Sequence, residues 1–146
     1  MSLEPTVFVV DDDPAVRESL QYLIESVGLN VESYPNAQTF TDAFDPAVPG
    51  CLVLDVRMPG ASGLDLLDEL KQRKVAIPPI IITGTADVPM AVRAMKVGAV
   101  DFIEKPFNDQ LLLDRIQRAI EEDRLARTRR DELQAVITRR NTRTRR

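Results

Sequence analysis

Short apolar runs alternate along the chain with stretches whose apolar residues recur at helical spacing. Thr6–Val10 (TVFVV) is a continuous apolar run bounded by acids, the pattern of a strand buried on both faces. Asp13-Pro14 then reads as an N-cap and first helical position. Val16, Leu20, Leu23, Ile24 and Val27 follow at helical spacing, and Gly28 stands where that helix should stop. Val31–Tyr34 predicts a short strand, and Asn36 can cap a helix reaching about Phe44. Cys51–Asp55 (CLVLD) is a second apolar strand that ends on an acid. After the loop at Met58-Pro59-Gly60, Ser62 can cap a helix through Leu64, Leu67 and Leu70. Pro79–Thr83 (PIIIT) is a third strongly apolar strand. Asp87 can cap a helix with Val88, Ala91, Val92 and Met95, closed by Gly98. Val100–Ile103 is the last strand, Lys105-Pro106 makes a turn, and a long helix starts near Asn108 with Leu112, Ile116 and Ile120 on one face.

Strand and helix thus alternate five times. This predicts an α/β protein, a doubly wound five-stranded parallel sheet with helices on both faces and right-handed crossovers, continued by an extended C-terminal helix. The 146 residues suit one domain, but charge divides them. Residues 1–120 sum to −8 and residues 121–146 to +4, and prolines and glycines vanish beyond Glu121. The division predicts a compact acidic domain over 1–120 and a helical linker or tail over 121–146, helical from Arg124 to about Arg140 and frayed at its basic end, Asn141–Arg146. Mixed charges such as Glu121, Glu122, Asp131 and Glu132 read as a solvated helix rather than a nucleic-acid contact.

One cysteine cannot form an internal disulfide, and no apolar run reaches the ~18 residues of a membrane span, so a cytoplasmic location is expected. With no histidine, histidine general bases, histidine-dependent triads and histidine metal ligands are excluded. In a doubly wound sheet ligands bind beyond the carboxyl ends of the strands. Those ends carry Asp11, Asp12 and Asp13, then Asp55, Thr83 and Lys105. Each has a plainer use: Asp13 as a helix cap, Thr83 satisfying a backbone group, Lys105 as a surface lysine. Together they are the equipment of phosphoryl transfer. Crowded carboxylates call for a hard divalent cation such as Mg²⁺, and with no other nucleophile nearby the acceptor should be a carboxylate.

The segments VVDDD (9–13), LVLDVRMPGASGLDLL (52–67), PIIITG (79–84) and VRAMKVGAVDFIEKPF (92–107) resemble the receiver domain of two-component response regulators, from Thr6 to about Ile120. The run at 87–107 resembles the FixJ branch, whose members usually append a LuxR-type helix-turn-helix domain. The resemblance implies the (βα)5 flavodoxin-like receiver fold and a switch that accepts phosphate from a sensor histidine kinase, not a turnover enzyme. It makes Asp55 the phosphoacceptor. Asp11 and Asp12 become the acidic pair that holds Mg²⁺ with Asp55 and the backbone carbonyl of Arg57. Thr83 bonds a phosphoryl oxygen, Lys105 pairs with its charge, Phe102 is the switch aromatic, and Lys105-Pro106 is a cis peptide. It also implies dimerisation through helix 4, strand 5 and helix 5, with DNA reached only through an output domain absent from this chain. The chain then reads as a fragment cut before that domain, or as a stand-alone receiver with a helical tail.

Two features depart from the branch: the missing output domain, and Thr85-Ala86 where relatives often have His-Gly, so phosphate lifetime does not carry over. Three rivals stand beside this reading. A haloacid-dehalogenase-type phosphatase needs D-x-D-x-[T/V], but Ala15 occupies the last position. A nucleotide-binding Rossmann module lacks its glycine motifs. A phosphate-independent, receiver-like interaction module has no use for a complete acidic site.

Overall fold

The computed structural model describes residues 4–56, 63–84 and 88–144. The expected cap residues Ser62 and Asp87, the Met58-Pro59-Gly60 loop, the Thr85-Ala86 pair and the Arg57 carbonyl lie outside them. Five strands, β1 (Thr6–Val10), β2 (Asn30–Tyr34), β3 (Gly50–Asp55), β4 (Pro79–Thr83) and β5 (Asp101–Glu104), form one parallel sheet in the order β2-β1-β3-β4-β5. They alternate with helices α1 (Pro14–Glu25), α2 (Ala37–Ala43), α3 (Gly63–Gln72), α4 (Val88–Val97) and α5 (Asp109–Thr144). Local chemistry explains several of these boundaries. The Asp13 carboxylate accepts from the Ala15 N–H at 2.9 Å, and the Asn36 side chain accepts from the Thr39 N–H at 2.8 Å. Asn108 caps α5 by accepting from the Gln110 N–H at 2.8 Å.

The apolar runs are uniformly buried because alternate residues serve different faces of the sheet. Phe8, Val10, Leu52, Leu54 and Ile81 pack against Phe40 of α2, Leu66 and Leu70 of α3, and Ala91 and Ala94 of α4. Val7, Val9, Val53, Ile80 and Ile82 pack against Leu20 and Ile24 of α1 and against Leu112 and Ile116 of α5. Phe40 anchors the first face, edge-on to Phe8 at 5.8 Å and stacked on Phe44 at 4.9 Å between centroids.

Strands β2 and β3 each start one residue earlier than the sequence pattern, at Asn30 and Gly50, and two differences are larger in consequence. The last strand starts at Asp101 rather than Val100, because β4 and β5 pair Ile80 with Asp101 and Ile81 with Phe102. Val100 precedes the strand, its N–H donating to the Pro79 carbonyl at 2.8 Å. The second difference is in the tail. α5 is one helix of 36 residues that continues past Arg140 to Thr144. No proline or glycine stands in that stretch to end it. No helix among the described residues is long and apolar enough to cross a membrane.

Candidate functional site

The strand order puts β1 beside β3, so residues at the carboxyl ends of these strands become neighbours. Asp11 follows β1 and Asp55 ends β3. With Asp12 they form a cluster whose carboxylate oxygens lie within 4.8 Å of one another. Asp11 is buried, Asp55 half-buried and Asp12 exposed. The Asp11 backbone is held from two sides. Its N–H donates to the Tyr34 carbonyl at 3.1 Å, and the Arg17 guanidinium donates to its carbonyl at 2.7 Å. One Asp11 carboxylate oxygen accepts from the Asp13 N–H at 2.9 Å. The other is buried with no hydrogen-bond partner.

β5 delivers the cation. The Lys105 N–H donates to the Thr83 carbonyl at 2.7 Å, which continues the β4–β5 ladder by one residue. The lysine ammonium then stands 3.6 Å from Asp55 and 3.9 Å from Asp11. The Lys105-Pro106 peptide is cis. Thr83 is fully buried at the end of β4, its hydroxyl donating to the Gly84 carbonyl at 3.2 Å. Phe102 stands three residues before the lysine, half-buried against the α2–α4 side of the core and not in the carboxylate cluster.

Ionised, the three carboxylates face one lysine among the described residues, a balance of −2. Two unit charges about 5 Å apart repel by roughly 3 kcal/mol at an effective dielectric of 20. Burial, followed by the charges of Asp55 and Asp12, pushes the Asp11 carboxyl up to about 6, while the Asp13 N–H and Lys105 pull the other way. The donor set is all oxygen, negatively charged and open on the Asp12 side, and includes one buried oxygen that accepts no hydrogen bond and has only the Lys105 ammonium 3.9 Å away. These features fit a hard divalent cation.

The structure therefore brings Asp11, Asp12, Asp55 and Lys105 together, with Thr83 at the same sheet edge. Arg17, which fixes the β1–α1 turn from within the helix, carried no sequence signal: its partner is a backbone carbonyl six residues away.

Comparison with known proteins agrees with this geometry. Residues 7–117 match the family model for the response regulator receiver domain. Nodulation protein W of Bradyrhizobium diazoefficiens is 52% identical over 126 residues, covering 86% of this chain and 56% of that protein. The transcriptional regulatory protein FixJ of Azorhizobium caulinodans is 52% identical over 114 residues, 78% of this chain and 54% of its own length. The chain thus spans about half the length of the curated relatives it matches. Among solved structures, FixJ-N superposes with a TM-score of 0.75 at 50% identity, over 81% of this chain and 94% of that one. The response regulator StyR gives a TM-score of 0.83 at 46% identity, over 92% and 70%. On sequence, fold and strand-end chemistry alike, this chain belongs to the receiver domains of two-component response regulators, which are regulatory switches.

Proposed function

We propose that this receiver takes a phosphoryl group onto Asp55 from a phosphohistidine of a sensor histidine kinase, and that the modified state favours a second conformation. The observation that carries the proposal is the triad of carboxylates within 4.8 Å of one another, with Lys105 3.6 Å from Asp55. A carboxylate oxygen of Asp55 attacks phosphorus, the O–P bond forms as the P–N bond breaks, and the kinase imidazole leaves. Lys105 is in reach of the charge that develops on the phosphoryl oxygens, and the Thr83 hydroxyl exchanges its bond to the Gly84 carbonyl for one of those oxygens. Asp11, Asp12 and Asp55, with the Arg57 carbonyl, would hold Mg²⁺, which when bound neutralises phosphoryl charge. Attack of water on the acyl phosphate releases phosphate and restores the Asp55 carboxylate. The chain is then its own substrate and switch, not a turnover enzyme.

The signal passes through Thr83 and Phe102, which draw inward together and alter the face formed by α4, β5 and α5. That face exposes Val92, Met95, Val100 and Leu111, which supports dimerisation there in the phosphorylated state. Names such as "transcriptional regulatory protein" among longer relatives support a transcriptional output carried by a DNA-binding part outside this sequence. The cytoplasm is the compartment such a partnership requires.

Intact mass after incubation with acetyl phosphate and Mg²⁺ tests the proposal. The wild type is expected to gain one phosphate-sized increment and Asp55→Asn none. Absence of the increment in wild type, with a phosphohistidine donor failing as well, refutes it in favour of a phosphate-independent interaction module. Light scattering with beryllofluoride tests the dimer, and an unchanged molar mass refutes it.

A further inference from the structure

The family match ends at residue 117, yet Asp123 is only 2% exposed. It sits in a stretch of charges that reads as a solvated helix face. Its carboxylate reaches instead to the start of β3, at the opposite end of that strand from Asp55. One oxygen accepts from the Gly50 N–H at 3.0 Å and from the Arg127 guanidinium at 2.7 Å. Arg127, one turn further along α5, also donates to the Pro46 carbonyl at 3.2 Å and the Val48 carbonyl at 3.1 Å. Three polar groups at the entry to β3 are thus tied to two residues of one helical turn.

The tie is built on both sides. Gly50 has φ +145°, and a Cβ there would lie 1.8 Å from the Thr6 carbonyl oxygen, so only glycine brings this N–H to the carboxylate. A carboxylate buried this deeply needs its partners, and taking one away leaves a charge that the interior does not tolerate. Beyond Arg127 the situation reverses, since every residue from Thr128 to Thr138 is exposed. That part of the helix is solvated, so its direction is set by its continuity with the turn that carries Asp123 and Arg127.

We infer that Asp123 and Arg127 form a clasp that fuses the first turns of the extension to the base of the sheet, so that α5 leaves the domain at one fixed angle. The receiver and the start of the extension then move as a single body, and a displacement of the receiver is carried directly to whatever the extension bears. A charge-assisted hydrogen bond, with the same guanidinium also held by two backbone carbonyls, suits this better than an apolar contact, because its energy depends on orientation. The clasp does not involve Asp55 chemistry and stands or falls apart from it.

The test is a distance measurement in the full chain by pulsed electron paramagnetic resonance. Spin labels are attached at Glu18→Cys on α1 and Glu132→Cys on the extension, both exposed, with the fully buried Cys51 left unlabelled. Exchange of the Gly50 amide is followed by NMR on the same proteins. With Arg127 intact, one narrow distance and a slow Gly50 amide are expected. Arg127→Met should speed that exchange at least tenfold and broaden the distance distribution. Should Arg127→Met fail to fold, Asp123→Asn keeps an acceptor for Gly50 but removes the charge that holds Arg127, and the distribution should broaden while the Gly50 amide stays protected. A narrow, unshifted distribution in whichever variant is folded overturns the clasp, whatever the exchange rate.

Discussion

Replacing Asp11 by asparagine should make the metal-free protein more stable at neutral pH. Asp11 is 2% exposed, and burial together with Asp55 and Asp12 pushes its carboxyl from 3.8 up to about 6. A rise of about two units is worth roughly 3 kcal/mol against the charged form, at 1.36 kcal/mol per unit. The sign follows from linkage. Above about pH 6 the native state holds a carboxylate that the unfolded chain ionises more easily, and the penalty is complete. As the pH falls from 6 towards 4, the native state takes up a proton that the unfolded chain has not yet bound, and the penalty fades. Asparagine keeps the acceptor for the Asp13 N–H but buries an amide N–H₂ in place of the oxygen that accepts no hydrogen bond, which returns about 1–2 kcal/mol of the gain. A net gain of about 1–2 kcal/mol is expected in urea unfolding at pH 7.5 with EDTA, shrinking to nothing or reversing near pH 4. Excess Mg²⁺ should invert the ranking, because the wild-type native state binds the ion more tightly than the variant does. Equal or lower stability of Asp11→Asn at pH 7.5 in EDTA would refute the electrostatic account, as would a gain that does not change with pH.

Four further perturbations follow from the geometry. Lys105→Ala removes the one positive charge placed against Asp55 and Asp11 among the described residues, so calorimetric titration should show Mg²⁺ binding at least severalfold tighter, and weaker binding would contradict the charge count. Gly50→Ala should abolish cooperative thermal unfolding by circular dichroism, because its Cβ collides with the Thr6 carbonyl at 1.8 Å and the backbone stands at positive φ. Phe40→Ala should cost about 3–5 kcal/mol in urea, since its ring is fully buried among Phe8, Tyr34 and Phe44. Tyr22→Ala, at a side chain 81% exposed, should stay within about 0.5 kcal/mol in the same assay, and a larger loss would show that α1 packs otherwise.

Legibility in the sequence tracked how local the determining physics is. The apolar runs of β1, β3 and β4, the caps at Asp13 and Asn36, and the long helix after Asn108 all follow from periodicity and capping within a few residues. The strand-end residues Asp11, Asp55, Thr83 and Lys105 stood out for the same reason, because the end of an apolar run is visible without knowing its neighbours. β5 was harder to bound. Val100 is as apolar as the strand that follows it, and its place outside β5 is settled by the ladder with Pro79 and Ile80.

What the sequence determined by itself was the succession of elements and the chemistry available at each strand end. Tertiary structure alone decided which ends meet. Placing β1 next to β3 joins residues 44 apart into one anionic cluster, and pairing β4 with β5 swings Lys105 over it. The same dependence hid Asp123. Among arginines and glutamates it reads as one more solvated charge, yet its partner is a backbone N–H 73 residues away, at a glycine that only the fold presents to it. Periodicity reports what a residue does along its own helix or strand. A charge buried across the chain is set by the distant groups that pay its desolvation cost, and those have no signature in the surrounding residues.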